Sequence, residues 1–209
     1  MKHALFFAHG EVGEKEFRKI GNERFDLVIA ADGGALNALR GGYLPDYVVG
    51  DLDSITAGVE EQLPGAKLVS RPSQELNDLE KTLQFCEELG VREITLLGIG
   101  GKRLDHTLNN LSVLSRYDER FYFTIYDPYS RIYLVRKRWE YSGAINQLIS
   151  LIPLGRVEGV VTEGLAFPLK NEPLVFGERE GLSNYIVSNP ARVSIQSGLL
   201  FIFVLDGEA

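Results

Sequence analysis

Residues 93–116 read EITLLGIGGKRLDHTLNNLSVLSR, and this stretch decides the fold of the N-terminal half of the 209-residue chain. It begins with Glu93–Leu97, an apolar run typical of a β-strand, and continues into the glycine-rich turn Gly98–Gly101. A helix is predicted over Arg103–Arg116, with an apolar face formed by residues at helical spacing: Leu104, Leu108, Leu111 and Ser115. The stretch therefore predicts a strand, a turn and a helix in direct succession.

The same alternation of strands and helices extends over residues 1–127. Five further apolar runs are strand candidates: Ala4–Ala8, Asp26–Ala31, Tyr47–Gly50, Lys67–Ser70 and Phe121–Tyr126. An amphipathic helix is predicted over Asp78–Gly90, with Asn77 as its N-cap and Gly90 as its C-terminal stop. Strand–helix alternation of this kind predicts an α/β domain, a mainly parallel open sheet with helices on both faces.

After Tyr129 the helical periodicity disappears. The remaining strand candidates are short, rich in Val, Ile, Tyr and Phe, and separated by turn residues: 131–138, 146–152, 157–162, 182–188, 192–196 and 199–205. This pattern predicts an antiparallel β-sandwich or partial barrel. We therefore expect two domains, residues 1–127 and residues 128–209, with the boundary near Asp127-Pro128.

Composition and net charge limit the kinds of molecule that this chain is expected to bind. The chain has 22 Lys and Arg against 29 Asp and Glu, a formal net charge of -7, so it has no general attraction for nucleic acid or anionic lipid. The single cysteine, Cys86, excludes an intramolecular disulfide and a thiolate-rich zinc site. Ala4–Ala8 is too short for a signal peptide, and Leu199–Leu205 is too short to cross a bilayer. We expect a cytoplasmic protein with no nucleic-acid or membrane partner.

Two motifs follow predicted strands directly, where ligands bind in open α/β sheets. The turn at Asp32-Gly33-Gly34 leads into a helix, and its glycines allow a ligand to approach the backbone; Asp32 could instead only cap that helix. In Gly50–Ser54, residues two apart in an extended chain point the same way, so Asp51 and Asp53 should converge on one cation. Two such carboxylates are suitable ligands for Mg²⁺; the alternative is that they belong to a solvated acidic turn without a ligand.

Two further motifs lie later in the same half. Ser73–Lys81 is an acidic helix start, which the helix dipole favours whether or not it has a function. The segment Gly98–His106 lacks the spacing of a Rossmann or Walker A loop. Its residue types nevertheless suit a phosphate-binding site, through Gly100 and Gly101 for close approach, Arg103 for phosphate oxygens and Asp105 as another carboxylate. His106 is either a ligand contact or a hydrogen-bonded structural residue.

Carboxylates for Mg²⁺, an arginine for phosphate and glycine-rich loops together favour metal-assisted transfer of a phosphoryl or pyrophosphoryl group from a nucleotide. The order of the motifs resembles the thiamine pyrophosphokinase family. The resemblance covers five stretches in sequence: Asp32-Gly33-Gly34 with Asn37, Gly50–Ser54, the acidic stretch ending at Asp78, Gly98–His106, and Gly181-Leu182-Ser183-Asn184. It implies transfer of a pyrophosphoryl group from ATP to the thiamine hydroxyl, giving thiamine diphosphate and AMP.

The resemblance also implies an ATP- and Mg²⁺-binding α/β domain, a C-terminal β-sandwich, and a homodimer with thiamine sites between subunits. The Mg²⁺ ligands it implies are four aspartates: Asp51, Asp53, Asp78 and Asp105. Asp51, Asp78 or Asp105 would orient or deprotonate the thiamine hydroxyl. Arg103 would hold the transferring phosphates, and the nucleotide site would be lined by Asp32, Gly33 and Asn37, together with Gly100, Gly101 and His106 as candidate contacts. Ser183 and Asn184 would contact the thiamine pyrimidine.

One stretch departs from the family pattern, because Ser73, Glu75 and Asn77 stand where the family usually has aspartates and a threonine. Glu75 is therefore a hypothetical additional metal ligand. Tyr185 is either a residue that stacks on thiamine or part of the core.

Two other functions stay open from the sequence. One is a haloacid-dehalogenase-like phosphatase that uses Asp51 and Asp53 as nucleophile and acid/base. The other is a nucleotide- and thiamine-binding sensor without turnover.

Overall fold

The computed structural model describes residues 1–73 and 75–207. It divides into two compact units, Met1–Pro128 and Tyr129–Ala209. No helix among the described residues is both long enough and apolar enough to cross a membrane.

The first unit is a parallel α/β sheet. Its described residues form six strands: β1 Lys2–Phe7, β2 Leu27–Ala31, β3 Tyr47–Gly50, β4 Lys67–Ser70, β5 Val91–Leu97 and β6 Tyr122–Tyr126. Five helices alternate with them: α1 Glu14–Ile20, α2 Gly34–Arg40, α3 Ala57–Glu60, α4 Asp78–Glu88 and α5 Leu104–Tyr117. Every strand pair in this unit is parallel, in the order β4-β3-β2-β1-β5-β6. The predicted α/β class is confirmed.

The strand order creates a switch point between β1 and β5. From β1 the chain continues to β2 on one side, whereas from β5 it continues to β6 on the other side. Both strands are buried on both faces, which explains their continuous apolar runs, with Phe6, Phe7, Leu96 and Leu97 fully buried. A crevice therefore opens beyond the carboxyl ends of β1 and β5, the place where open α/β sheets bind ligands.

Helices α4 and α5 differ in how well the sequence predicted their packing. Asn77 caps α4 as expected, because its side chain accepts a hydrogen bond from Glu80 N at 2.8 Å. In α5 the predicted apolar face is wrong, since Leu104 is 71% exposed and Leu108 is 58% exposed. The buried residues of α5 all lie in its second half: Val113, Leu114 and Tyr117. Because only that half packs on the core, periodicity over the whole helix selected the wrong positions.

The second unit consists of antiparallel strands. Among the residues described up to 207 they are β7 Ser130–Val135, β8 Arg138–Tyr141, β9 Leu148–Glu163, β10 Lys170–Val175, β11 Gly181–Tyr185, β12 Ala191–Ser194 and β13 Ser197–Leu205. Strands β8 and β10 were not predicted, and two predicted strands, 146–152 and 157–162, are halves of the single strand β9.

The long strand β9 belongs to two sheets. Its first half pairs with β11 and β13, and its second half pairs with β10 and β12. Pro153 and Gly155 lie between the halves, and Gly155 has φ +75, so the sequence there resembles a turn. Residues from both halves, including Leu151 and Val160, share one apolar core. The expected antiparallel sandwich is therefore built around one shared strand.

Candidate active site

A cleft of about 530 Å³ lies at the switch point of the parallel sheet. Its walls come from the loop after β1, the loop after β5, and the first turns of α4 and α5. Ala8, His9 and Gly10 line one side, and Ile99 and Gly100 line the other. The strand order alone therefore locates the cleft, which contains polar residues from four separate segments.

The loops after β1 and β5 are joined by backbone hydrogen bonds. Gly10 N donates to Gly98 O at 2.7 Å, and Glu11 N donates to Gly100 O at 2.8 Å. A Cβ atom on Gly10 would lie 2.3 Å from both of those carbonyl oxygens, so no other residue fits there without a shift of the backbone. His9 and Gly10 were not predicted as site residues, although they follow a buried strand in the same way as the predicted motifs.

Three carboxylates converge beside this cleft. Among the described residues, Asp32, Asp51 and Asp78 each place an oxygen within 4.8 Å of the other two. Asp32 follows β2, Asp51 follows β3, and Asp78 begins α4. Three carboxylates this close repel one another unless cations compensate them, and hard oxygen ligands of this kind suit a divalent cation. The group can therefore hold a metal ion.

Two residues of this region have left-handed backbone conformations that are unusual for side-chain-bearing residues. Asp32 has φ +35 and Leu52 has φ +69. Such conformations cost about 1–3 kcal/mol each and concentrate at functional sites. The left-handed turn at Leu52 interrupts the extended chain on which the predicted convergence of Asp51 and Asp53 depended. Asp53 is exposed and lies outside the three-carboxylate group, and its backbone N donates to Asp51 Oδ1 at 3.4 Å.

Gly50 leaves the space in which the carboxylates meet. A Cβ atom at this position would lie 2.9 Å from Asp32 Cβ and 3.2 Å from Asp78 Oδ1. Real Cβ atoms do not approach other carbon atoms as closely as the first distance, so any side chain here would push Asp32 away. The glycine of the Gly50–Ser54 motif is therefore required by the acidic group itself.

Lys81, which was not predicted as a site residue, lies against two members of the acidic group. Its side chain is only 4% exposed, and its Nζ lies 3.0 Å from Asp78 Oδ1 and 3.9 Å from Asp51 Oδ2. Lys81 also lines the cleft. The signal in the sequence was its position three residues after Asp78 on the same helix, where the two side chains are neighbours.

Arg103 and Asp105 pair with each other at the start of α5. Arg103 Nε donates to Asp105 Oδ1 at 3.1 Å, and a second nitrogen of the guanidinium donates to Oδ2. This hydrogen bonding lowers the pKa of Asp105 and raises the pKa of Arg103. Asp105 was predicted as a metal ligand, but it lies outside the three-carboxylate group, and its carboxylate accepts hydrogen bonds from Arg103.

Of the predicted phosphate-binding residues, Gly100, Arg103 and His106 line the cleft. Lys102 was not selected from the sequence, but it also lines the cleft and donates from Nζ to His9 O at 2.8 Å. Gly101 is not among the residues that line the cleft; it has φ +92, and a Cβ atom there would lie 2.6 Å from Glu11 Cβ. The cationic residues of the β5–α5 segment therefore face the same cleft as the carboxylates.

Gly33 and Asn37 support the loop after β1 from behind. The buried Asn37 side chain donates to Ala8 O at 2.8 Å and to Gly10 O at 2.9 Å. A Cβ atom on Gly33 would lie 2.5 Å from the ring of His9. The structure therefore gives both residues a role in shaping the cleft rather than in lining it.

Ser183 and Asn184 lie in the second unit, on β11. Ser183 is exposed and has φ +56, whereas Asn184 is buried and holds the backbone of Phe167 at both its N, 3.0 Å, and its O, 2.7 Å. Tyr185 is half-buried and packs edge-on against Phe167, with ring centroids 5.9 Å apart. Asn184 thus shapes a loop that carries an exposed aromatic ring.

Two further residues of the first unit, Glu75 and Cys86, are not among those that line the cleft. Glu75 is exposed, and its backbone N donates to Ser73 Oγ at 3.3 Å. Cys86 is buried, and burial raises the pKa of its thiol to about 12, so it is not a nucleophile in the folded protein. The cleft therefore combines carboxylates with Lys81, Lys102 and Arg103, a set that suits a cation and a polyphosphate.

Comparisons with known proteins agree with this chemistry. The profile described as "Thiamin pyrophosphokinase, catalytic domain" matches residues 20–126, and the one described as "Thiamin pyrophosphokinase, vitamin B1 binding domain" matches residues 139–200. Thiamine pyrophosphokinase 1 of Oryza sativa subsp. japonica is 29% identical over 213 residues, covering 88% of this chain and 80% of the relative. Thiamine pyrophosphokinase of Bacillus subtilis (strain 168) is 26% identical over 191 residues, covering 84% of this chain and 86% of the relative.

Solved structures share the whole fold. The crystal structure of thiamine pyrophosphokinase from Bacillus subtilis superposes with a TM-score of 0.85 at 22% identity, covering 99% of this chain and 100% of that one. Thiamin pyrophosphokinase from Candida albicans gives a TM-score of 0.83 at 18% identity, covering 98% of this chain and 89% of that one. With the catalytic-domain profile matching more than half of its residues, this chain belongs to the thiamin pyrophosphokinase family.

Proposed function

We propose that this chain transfers a pyrophosphoryl group from ATP to the hydroxyl of thiamine, giving thiamine diphosphate and AMP. Family membership supports thiamine pyrophosphokinase activity over the phosphatase and sensor alternatives. The observation that carries the assignment of the site is the convergence of Asp32, Asp51 and Asp78 at the switch-point cleft, within the segment that matches the catalytic domain.

The donor set fits Mg²⁺. It offers only hard carboxylate oxygens, and Mg²⁺ is commonly held by one or two carboxylates together with substrate phosphates. Asp32 is 4% exposed, and its described side-chain hydrogen bond, from Ser54 N, is long at 3.4 Å, so this buried charge is poorly compensated by the protein. We propose that Asp32, Asp51 and Asp78 hold the ion, which supplies neutralisation of phosphate charge when bound.

The other residues of the cleft have separate tasks in this proposal. Arg103 and Lys102 bind phosphate oxygens, since both line the cleft and carry fixed positive charge. Asp105 holds the Arg103 guanidinium in its orientation, and so acts through Arg103 rather than on the metal. Asp53 lies outside the three-carboxylate group, so we do not assign it to the ion.

The chemical step needs the thiamine hydroxyl to attack the β-phosphorus of ATP in line, with AMP as the leaving group. Asp51 or Asp78 is placed to orient or accept the proton of that hydroxyl, because each is only partly buried and lines the cleft. The remaining contribution is positioning by the backbone of the β1 and β5 loops.

We assign thiamine binding to the second unit, with Ser183 and Asn184 as predicted contacts. The match of residues 139–200 to the vitamin B1 binding domain supports this assignment. The homodimer implied by the sequence resemblance is part of the same proposal, and sedimentation of the purified protein tests it directly.

The test of function is a mass-resolved assay with ATP, MgCl₂ and thiamine. We expect thiamine diphosphate and AMP in equal amounts, and loss of both in Asp51→Asn. Asp46→Asn is a matched control, because Asp46 is exposed and accepts a hydrogen bond from Val28 N that an asparagine oxygen can also accept.

Each alternative gives a different result. Formation of ADP in place of AMP would exclude pyrophosphoryl transfer. Phosphate release from other phosphoesters through a covalent aspartyl-phosphate would indicate the phosphatase. ATP binding without any product would indicate the sensor.

A further inference from the structure

Lys81 is a buried cation within a group of anions. It lies on α4, one turn after Asp78, and its side chain is only 4% exposed to solvent. The start of α4 is held firmly, because Asn77 caps the helix and Thr82 Oγ1 donates to Asp78 O at 2.6 Å. The helix therefore fixes the spacing of Asp78 and Lys81 along the backbone and keeps the ammonium group close to the carboxylates.

The charges in this group have a simple balance. Asp32, Asp51 and Asp78 contribute -3 when ionised, and Lys81 contributes +1, which leaves -2. A single divalent cation neutralises that remainder. Without Lys81 the three carboxylates would carry -3 and would repel one another more strongly in the absence of a metal.

We propose that Lys81 is a positioning residue that holds Asp51 and Asp78 together when no divalent cation is bound, and that the cation competes with Lys81 for these two carboxylates. The inference rests on the proposed function, since the cation is the one that the three aspartates are proposed to hold. Two distances carry it, 3.0 Å from Nζ to Asp78 Oδ1 and 3.9 Å from Nζ to Asp51 Oδ2.

The direction of the effect separates this role from a purely structural ion pair. If Lys81 only maintained the local structure, its loss would disorder the carboxylates and weaken metal binding. If Lys81 competes with the metal, its loss removes a positive charge from the site and strengthens metal binding. The two roles therefore predict opposite changes in affinity.

The experiment measures Mn²⁺ binding by calorimetry, without ATP or thiamine, for the full chain and for Lys81→Met. We expect the variant to bind Mn²⁺ at least about tenfold more tightly, because a unit charge within about 4 Å is removed from a shielded site. Lys81→Arg keeps the positive charge and should therefore not show the tighter Mn²⁺ binding expected of Lys81→Met. Lys67→Met is the matched control, because Lys67 is an exposed lysine on β4, and it should leave the affinity unchanged.

Thermal unfolding gives a second measurement. In EDTA, Lys81→Met should melt at least about 3 °C below the unsubstituted protein, and added Mg²⁺ should raise its melting temperature more than it raises that of the unsubstituted protein. If the variant does not fold without metal, the double variant Asp51→Asn/Lys81→Met restores a net charge of -2 and should fold. A double variant that also fails to fold would overturn the proposal.

The results also distinguish the inference from the proposed function. Unchanged or weaker Mn²⁺ binding by Lys81→Met, with normal binding by the unsubstituted protein, overturns the role of Lys81 alone. An unsubstituted protein that binds no divalent cation even with ATP present overturns the proposed metal site, and the competition with it.

Discussion

Replacing Gly50 with alanine tests whether close packing of the carboxylates is what makes the site work. The added Cβ would lie 2.9 Å from Asp32 Cβ, 3.2 Å from Asp78 Oδ1 and 3.4 Å from Asp78 Cγ. Carbon atoms in contact lie about 3.5–4.0 Å apart, so Asp32 and β3 must separate by about 0.6–1.1 Å. Gly50 is buried at the end of β3, so the strand cannot relax into solvent.

The expected effect is larger on activity than on stability. Overpacking of a buried position costs about 1–3 kcal/mol, which corresponds to a melting temperature lower by about 2–12 °C for a chain of this size. A metal site tolerates ligand displacements of only about 0.2 Å, and a misplacement of about 1 Å can cost about 100-fold in rate. We therefore expect Gly50→Ala to remain folded and to lose about 100-fold in kcat/KM.

The assay follows AMP and thiamine diphosphate formation at several Mg²⁺ concentrations, with circular dichroism to confirm folding. Gly58→Ala is the control, because Gly58 lies in α3 and a Cβ there meets no atom within 4 Å. That control should keep full activity and be slightly more stable, since alanine favours helix. A Gly50→Ala protein with unchanged kcat/KM and an unchanged Mg²⁺ requirement would refute the argument that the three carboxylates act together.

Three further predictions concern other parts of the first unit. Hydrogen bonding from Arg103 lowers the pKa of Asp105, so the ion pair is fully formed at pH values above the ordinary pKa of aspartate and is lost as the pH falls through the lowered pKa. An NMR titration should show a higher Asp105 pKa in Arg103→Met. Cys86, buried with a pKa of about 12, should resist alkylation at pH 8 until the protein is unfolded by urea, and rapid labelling of native protein would contradict its burial. Leu114→Ala should lower the free energy of unfolding by about 2–5 kcal/mol, whereas Leu104→Ser, at a 71% exposed position, should change it by less than about 0.5 kcal/mol; equal losses in urea titrations would show that the exposed half of α5 is packed after all.

Local sequence patterns predicted the parallel sheet well, because its central strands β1 and β5 are buried on both faces. The apolar runs of β3 and β4 have the same bounds in the structure as in the prediction, Tyr47–Gly50 and Lys67–Ser70. The cap at Asn77 was equally predictable, since it depends only on the residues of one helix start. Local chemistry of this kind needs no knowledge of what packs on it.

The wrong predictions for α5 and β9 concerned features that depend on tertiary packing. The face of α5 depended on which half of the helix meets the sheet, and the division of β9 depended on which strands pair with each half. Periodicity within a segment contains neither kind of information, so Leu104 was predicted to be buried and β9 was predicted as two strands.

The structure brings only some of the predicted site residues together. The prediction that polar residues gather at the carboxyl ends of the strands needed only the strand order. Which carboxylates meet depends instead on two local features of the backbone. Asp53 follows the left-handed turn at Leu52 and lies outside the group, and the absence of a side chain on Gly50 leaves room for Asp32. Neither the turn nor the space has a signature in the spacing of the residues.

A protein with a net charge of -7 that binds a polyphosphate needs local compensation, and the structure shows two separate sources of it. Lys81 lies between Asp51 and Asp78, so these two carboxylates largely compensate its positive charge. Arg103 and Lys102 are exposed at the cleft wall, and so can meet an incoming phosphate group. Because the carboxylates outnumber Lys81, free ATP would meet a remaining negative charge at the centre of the cleft. In the proposed reaction we therefore expect nucleotide binding to depend on a divalent cation at that centre, with Arg103 and Lys102 contacting the phosphates around it.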